Sequence, residues 1–339
     1  VTPRRRVVVV GAGVAGLTAA GLLPRSVDVV VVDKGGGVGG RLATRRIGDA
    51  SFDHGAQFIT THTPEFAEIV AAWGRAGVAR PWFRGRIGPA GTVDPDGHIR
   101  FCGVGSMNAI AKHLAEGLDV RLSRRVLTLD PSEGSWRVEL DDGSELGADA
   151  VVLTAPVPQA LHLLAAGGAA LSDADGHALE AIRYEPCLAV LVALDGASGL
   201  DDPGAIAPST GPIGWMADNR TKGVSLVPAV TIHATAEFSR SHMESSDELV
   251  AGELLRAAGL RARPIDGQIQ VQRWRFARPT TIHPARCLVA DGLPPLVFAG
   301  DAFGSAKVEG AALSGIAASA AVASLLGCLD PLPKLGGSA

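Results

Sequence analysis

The sequence is poor in the features that mark metal proteins, disulfide-rich secreted proteins and nucleic-acid-binding proteins. Its four cysteines are widely spaced and form no Cys-x-x-Cys pair, which favours free thiols in a reducing, cytoplasmic environment and no metal site. The net charge is −4 and there is no basic block, which argues against nucleic acid as a partner. No run of about 20 apolar residues without glycine or charge indicates a membrane helix.

Glycine, by contrast, is abundant, with 43 in a chain of 339 residues, a length that allows two domains. Residues 7–10 are four consecutive valines, typical of a strand buried on both faces. Gly11, Gly13 and Gly16 follow at the spacing Gly-x-Gly-x-x-Gly, before an Ala/Leu-rich helix. This spacing allows a tight turn, close approach of a pyrophosphate, and close packing of the helix. A second valine strand ends in Asp33, which suits a ribose hydroxyl, so the unit predicts a dinucleotide site.

The next glycines favour FAD over NAD as the dinucleotide. Gly39, Gly40 and Arg41 follow the acidic residue; NAD-binding folds need no such loop, whereas FAD-binding folds of the glutathione-reductase type often carry one against the pyrophosphate. A flexible linker is the alternative interpretation, but a linker rarely ends in a fixed arginine before an apolar pair. No second Gly-x-Gly-x-x-Gly follows a strand, so we expect no NADPH domain and a substrate that supplies the electrons.

The end of the chain also has the pattern of a flavin site. A buried strand is expected before Gly300 and Asp301, and residues 308–311, Val-Glu-Gly-Ala, open a long Ala-rich helix. A helix N-terminus near the flavin pyrimidine would stabilise the negative charge of the reduced ring. Between the two ends of the chain, residues 79–100 are expected to form short strands, with Asp96 and Gly97 as a turn signal.

The sequence resembles the renalase branch of the FAD-dependent amine oxidase superfamily, and is most similar to the bacterial renalases, over nearly its whole length. The motifs that carry this resemblance are Gly55-Ala56-Gln57, residues 215–222, His233-Ala234-Thr235, residues 273–279, and the closing segments already described. The resemblance implies an α/β fold with a Rossmann-type FAD-binding domain of the p-hydroxybenzoate-hydroxylase or glutathione-reductase type, together with a mixed-sheet substrate domain. We expect residues 1–60, 101–159 and 285–339 in the FAD-binding domain, and residues 61–100 and 160–284 in the substrate domain.

The motifs and the resemblance together imply a set of cofactor-binding residues. These are Gly11, Ala12, Gly13, Val14, Ala15, Gly16, Asp33, Lys34, Gly40, Arg41, Ala56, Gln57, Phe58, Val126, Thr154, Ala155, Gly300, Asp301, Val308, Glu309, Gly310 and Ala311. We expect FAD to be bound non-covalently, with Cys287 the only candidate for a covalent link.

The implied activity is oxidation of the 2- and 6-dihydro isomers of NAD(P), with hydride transfer to flavin N5 and reduction of O2 to hydrogen peroxide. Gln57, His233 and Trp274 would then line the nicotinamide pocket, with His233 orienting the carboxamide. Thr231 and His233 alternate with apolar residues along a strand, a pattern that a solvated sheet face would also explain. Arg220 and Lys222 are candidates for binding substrate phosphates, but solvated loop charges explain them equally well.

An amine or amino-acid oxidase of the same superfamily is the alternative. Such enzymes usually place a tyrosine just before the Val-Glu-Gly motif, where this sequence has Lys307, and Tyr184 is the only tyrosine. A cation there disfavours an approaching ammonium group, and the aromatic cage is missing. A natural-product tailoring desaturase and a flavin-binding protein without turnover are further alternatives, because a few pocket residues decide the substrate.

Overall fold

The computed structural model describes residues 4–328. Its helices are α1 Val14–Leu22, α2 Pro64–Arg75, α3 Asn108–Leu114, α4 Val157–Ala166, α5 Asp173–Glu180, α6 Ala236–His242, α7 Asp247–Ala258 and α8 Val308–Leu325. Its strands are β1 Arg6–Val10, β2 Asp28–Val32, β3 Thr44–Ile47, β4 Ala50–Asp53, β5 Ala79–Ile87, β6 Val93–Gly103, β7 Asp119–Arg121, β8 Val126–Ser132, β9 Ser135–Leu140, β10 Glu145–Ala148, β11 Ala150–Leu153, β12 Arg183–Leu194, β13 Ala205–Ile206, β14 Ile213–Asp218, β15 Ala229–Ala234, β16 Pro264–Thr281, β17 Leu288–Val289 and β18 Leu296–Phe298.

A six-stranded sheet with the order β17-β18-β11-β1-β2-β7 forms the nucleotide-binding half. Strand β1 pairs in parallel with β2 and β11, and β18 pairs in parallel with β11. Alternate valines of β1 face opposite ways: Val7 and Val9 lie in the core on the side of α1 and α8, whereas Val8 and Val10 lie on the side of β8–β10. Burial on both faces explains the unbroken valine run.

Helix α8 packs across α1 at a point where only small residues fit. A Cβ atom at Gly315 would lie 2.4 Å from the carbonyl oxygen of Ala15, so the two backbones touch there. Within residues 4–328, α8 is the one helix long and apolar enough to cross a membrane, but more than half of it is buried inside the fold. Its apolar composition is thus explained by its position in the core of the fold.

A second sheet, with the order β13-β14-β15-β12-β16, forms the substrate half, and all of its strand pairs are antiparallel. Its strands come from residues 183–281, and those of the first sheet come from the segments that the sequence assigns to FAD. The predicted α/β fold is confirmed; the exact domain boundaries stay a prediction.

The hairpin formed by β5 and β6 turns at residues 88–92, where Gly88 N donates to Thr92 O at 2.8 Å. Asp96 and Gly97 are therefore not the chain reversal that their sequence suggests. They lie inside β6, where the register changes from Arg84 opposite Ile99 to Arg86 opposite Asp94. The left-handed Gly97, with φ of 79°, lies within this bulge.

Candidate active site

The first glycine loop is closed except at one position. Gly11 has a φ of +112°, and a Cβ there would lie 2.5 Å from Thr154 Oγ1. A Cβ at Gly16 would lie 2.0 Å from Gly11 O, whereas a Cβ at Gly13 would meet no atom within 4 Å. Open space at Gly13, in front of the N-terminus of α1, fits a pyrophosphate against the backbone.

The carboxylate of Asp33 holds this loop in place. Its Oδ2 accepts from Ala12 N at 2.7 Å, and its Oδ1 accepts from Gly35 N at 2.7 Å. Each carboxylate oxygen has a second lone pair, so the side chain can still accept from a ribose. The next residue, Lys34, points elsewhere and donates to Gln159 Oε1 at 3.0 Å.

The second glycine loop lies directly on the first. Gly39 N donates to Ala12 O at 2.8 Å, and a Cβ at Gly40 would lie 3.5 Å from Gly13 Cα. Arg41 O in turn accepts from Ala56 N at 2.8 Å. Segments that are far apart in sequence thus form one continuous backbone surface beside the open position.

Arg41 and Asp301 form a two-point ion pair at the end of this surface. Arg41 Nη1 lies 2.6 Å from Asp301 Oδ2 and Nη2 lies 2.7 Å from Oδ1, and both side chains are partly buried. Arg41 Nη1 also donates to Phe276 O and Ala277 O, at 3.4 and 3.3 Å. The same guanidinium therefore joins the glycine loop to strand β16 of the substrate half.

Three other predicted cofactor residues have contacts of their own. Thr154 Oγ1 donates to Val10 O at 2.9 Å, next to Ala155 at the end of β11. Val126 is buried in the apolar core, so any contact with adenine there belongs to its main chain. Cys287 packs against the apolar core, and burial raises the pKa of its thiol.

The carboxylate of Glu309 is occupied by protein donors. It is buried and accepts from His62 N at 2.9 Å, from Thr63 N at 2.8 Å and from Thr63 Oγ1 at 2.6 Å. Glu309 thereby fixes the start of α2, where Thr63 is the N-cap and Pro64 follows. A role of residues 308–311 toward flavin falls to their backbone at the start of α8.

The three residues predicted to line the nicotinamide pocket, Gln57, His233 and Trp274, meet at one loop, the segment that follows β4. Gln57 is buried and its Nε2 donates to Asp53 O at 2.7 Å. Trp274 Nε1 donates to His54 O at 2.9 Å, and His233 Nε2 lies 3.1 Å from that same oxygen. Trp274 also stacks on the His54 ring, with centroids 5.3 Å apart.

The contact with His54 O fixes the tautomer of His233. A carbonyl oxygen can only accept, so Nε2 carries a proton, and in the neutral ring Nδ1 then keeps its lone pair. Burial lowers the pKa of His233 to about 4, and burial followed by the charge of Arg45 lowers the pKa of His54 to about 4. Both rings are neutral at neutral pH.

The polar face of β15 is not a solvated face. Thr231 is fully buried; its hydroxyl donates to Asp53 O at 3.0 Å and accepts from Asn219 Nδ2 at 2.9 Å. Thr231 and His233 thus join the substrate sheet to the loop that carries Gln57.

The prediction that Lys222 binds substrate phosphates is wrong, because its side chain is not accessible to a ligand. Its side chain is fully buried, with Nζ 2.8 Å from Asp53 Oδ2 and 4.9 Å from the centroid of the Trp82 ring. Asp53 Oδ1 also accepts from Thr44 Oγ1 at 2.6 Å and from Met107 N at 3.0 Å. Arg220 is exposed, so its role in binding substrate phosphates stays a prediction.

Lys307, at the N-cap of α8, contacts a histidine rather than a carboxylate. Its Nζ lies 2.9 Å from His62 Nε2, and burial, followed by the charge of Lys307, lowers the pKa of His62. The two residues line a cavity of about 310 Å³ together with Arg286, Phe303 and Glu309.

Four aromatic side chains from separate parts of the sequence lie together next to the segment that carries Gln57. We call Phe58, Trp82, Phe83 and Trp215 the aromatic cluster. The ring centroids of Phe58 and Trp215 are 5.4 Å apart, and those of Trp82 and Phe83 are 4.9 Å apart. All four rings are partly exposed. No sequence spacing reveals the cluster, because its members come from a loop, the hairpin and the substrate sheet.

A Rossmann-type sheet with an open pyrophosphate position, joined to an antiparallel substrate sheet, defines an FAD-dependent oxidoreductase. Residues 87–323, more than half of the chain, match the family of flavin containing amine oxidoreductases, and residues 9–73 match the NAD(P)-binding Rossmann-like domain. The chain belongs to the flavin containing amine oxidoreductase family.

Within that family the chain is renalase-like. It is 27% identical to renalase of Mus musculus over 270 residues, which cover 71% of this chain and 75% of that protein. Among solved structures, a putative protoporphyrinogen oxidase from Exiguobacterium sp. 255-15 matches with a TM-score of 0.71 and 15% identity, over 95% of this chain and 98% of that one. Wild-type putrescine oxidase bound to putrescine matches with a TM-score of 0.66 and 16% identity, over 94% and 99%. These two structures establish the fold.

Proposed function

We propose that this protein oxidises the 2- and 6-dihydro isomers of NAD(P) to NAD(P)+. Bound FAD would supply the hydride acceptor, flavin N5, and O2 would take up the two electrons with a proton from solvent to give hydrogen peroxide. The proposal rests on the similarity to renalase and on one observation, the neutral His233 held on the carbonyl of His54. The proposed partners are therefore the dinucleotide substrate and O2.

The cofactor would be held by the surface already described. The backbone at Gly13 and the amides of α1 would take the pyrophosphate, and Asp33 would take the adenosine ribose. Arg41 and Asp301 would lie beside the middle of the cofactor, and the backbone of residues 308–311 beside the pyrimidine ring. The open position at Gly13 is the observation that favours this arrangement.

The residues around the pocket suit a neutral ring that only loses hydride. With Nε2 committed to His54 O, His233 offers Nδ1 as an acceptor, which suits the amide hydrogens of a carboxamide. A dihydropyridine becomes aromatic when hydride leaves, so it needs no proton removed by the protein. Neutral histidines and a hydrogen-bonded Gln57 are thus sufficient chemistry for this substrate.

Amine oxidation is the second candidate, and one observation favours it. The aromatic cluster supplies rings that can hold a cation, as the guanidinium of Arg100 shows by lying 5.6 Å from the centroid of Phe58. Against it, Lys307 places an ammonium group at the start of α8, and Tyr184, the single tyrosine, accepts from Val157 N at 3.2 Å.

Anaerobic mixing of the FAD-loaded protein with 6-dihydro-NAD, NADH and a panel of amines separates the two candidates. We expect rapid bleaching of the flavin with the 6-dihydro isomer and little with NADH or amines. His233→Ala should slow that bleaching while FAD stays bound. Bleaching by an amine alone, or by none of these compounds, would reject the dihydronicotinamide proposal.

A further inference from the structure

Trp215 differs from the other two tryptophans near the site, Trp82 and Trp274, because its indole N–H has no hydrogen-bond partner among the described residues. Trp82 Nε1 donates to Pro203 O at 3.0 Å, and Trp274 Nε1 donates to His54 O at 2.9 Å. Trp215 Nε1 is buried, yet it makes no hydrogen bond with any acceptor among residues 4–328. Buried donors are normally paired because an unpaired one loses its bonds to water without replacement. An unpaired donor beside partly exposed aromatic rings therefore points to a ligand acceptor.

The position of Trp215 directs this donor to the substrate side of the site. Trp215 is the cross-strand neighbour of His233 in the pairing of β14 with β15, so both side chains leave the same face of the sheet. Its ring contacts Phe58, which directly follows Gln57. Trp215 is thus a direct neighbour of His233 across the sheet, and it contacts the residue that follows Gln57.

Gln57 has a buried acceptor without a partner among the described residues, which complements the donor of Trp215. Its Nε2 is bonded to Asp53 O and Gly55 O, but its buried Oε1 has no donor among the described residues. Trp215 Nε1 and Gln57 Oε1 are therefore a donor and an acceptor that lack partners among residues 4–328 and lie next to partly exposed aromatic rings. A flat ring that carries a carboxamide matches this set, because a carboxamide has one carbonyl acceptor and two N–H donors.

We propose that Trp215, with Phe58 and Phe83, forms a subsite for a pyridine carboxamide ring, in which the indole N–H donates to the carboxamide carbonyl. Gln57 Oε1 and His233 Nδ1 supply acceptors for the amide hydrogens. The subsite deepens the proposed function on which it rests, and makes Trp215 a specificity-determining residue. It equally binds the oxidised ring, so binding can be measured without turnover.

The test is binding of NAD+ to the FAD-loaded protein, measured from the change in the flavin absorbance spectrum. Trp215→Phe keeps a ring but removes the N–H, and should weaken NAD+ binding about tenfold. ADP-ribose lacks the pyridine ring, and its binding should not change. Trp73→Phe, the same substitution in the core beside Phe66, controls for general loss of packing. Equal affinity of the wild type and Trp215→Phe for NAD+, or equal weakening of NAD+ and ADP-ribose, would overturn the proposal.

A ligand-side measurement on the wild type covers the case in which Trp215→Phe does not fold. Nicotinamide should bind at least about tenfold more tightly than 3-methylpyridine, which lacks the carboxamide; equal affinities would overturn the subsite. Failure of the proposed function looks different, because dihydro isomers would then leave the flavin oxidised while NAD+ binding still depends on Trp215. Reduction by the dihydro isomers with no effect of Trp215→Phe on binding would reject the subsite alone.

Discussion

Lys222 Nζ lies 2.8 Å from Asp53 Oδ2, and neither side chain is exposed to solvent. This ion pair joins the loop after β14 to the end of β4, from which the segment carrying Gln57 starts. Because Asp53 also accepts from Thr44 and Met107, it connects the cofactor side and the substrate side of the molecule.

Replacing Lys222 by methionine should therefore destabilise the protein strongly. The change leaves a buried carboxylate without its counter-charge, which typically costs about 3–5 kcal/mol. Urea unfolding of the FAD-free protein measures the loss. Lys112→Met, at an exposed position of α3, should have little effect, and Asp53→Asn combined with Lys222→Met should recover part of the stability. A loss below about 1 kcal/mol for Lys222→Met would contradict this role of the pair.

Alanine substitutions in the first glycine loop should separate cofactor binding from folding. Gly13→Ala adds a methyl group to open space, so the FAD-free protein should keep its melting temperature while FAD retention falls. Gly16→Ala places a Cβ 2.0 Å from Gly11 O and should lower the melting temperature itself. Gly21→Ala, also in α1 with no atom within 4 Å, should stabilise slightly, by about 0.4–1 kcal/mol. Full FAD retention by Gly13→Ala would show that the pyrophosphate lies elsewhere.

Arg41→Lys should release FAD more readily while the fold remains intact. Lysine cannot reproduce the two-point contact with Asp301 and the bonds to Phe276 O and Ala277 O. We expect FAD affinity to fall about tenfold to a hundredfold, measured as flavin released during ultrafiltration. Arg75→Lys, exposed in the last turn of α2, is the matched control, and unchanged retention by Arg41→Lys would be evidence against the role of Arg41.

Lowering the pH from 6.5 to 4 should destabilise the folded protein, because it contains two buried neutral histidines, His54 and His233. The pKa of His54 and that of His233 are each lowered from 6.5 to about 4 by burial, so below pH 6.5 the unfolded chain binds protons that the folded chain does not. As the pH is lowered from 6.5 to 4, each of the two histidines should reduce the free energy of unfolding by up to about 1.4 kcal/mol for every pH unit. Denaturation curves across this range, for the wild type and His233→Gln, measure it. The variant should show a shallower slope; an identical slope would mean that His233 is not buried neutral.

Much of the fold and of the cofactor site follows from local sequence patterns. The valine runs, the glycine spacing, the N-cap Thr63 with Pro64, and the segments around Asp33 and Asp301 act over a few residues, so each can be recognised alone. Their assembly onto one surface follows from the parallel sheet, since the carboxyl ends of neighbouring parallel strands meet at one edge.

The substrate side was less predictable, because its important contacts are long-range. Lys222 resembles a solvated loop charge until its partner is known, and Asp53 lies 169 positions earlier in the chain. Asp96 and Gly97 form a strong local turn signal, but the pairing of β5 with β6 places them in a bulge. The indole N–H of Trp215, which has no partner among residues 4–328, has no sequence signature, since its surroundings come from distant parts of the chain.

The contact between Arg41 and Asp301 also has a consequence for synthesis on the ribosome. The first glycine loop is made early, but β18 and Asp301 complete the same site 260 positions after Arg41. Loops of that length close late, and chains with such distant contacts fold slowly. The nascent protein must therefore wait for its last strands before it can retain a cofactor, and ribosome-bound chains that end before residue 296 should emerge without flavin.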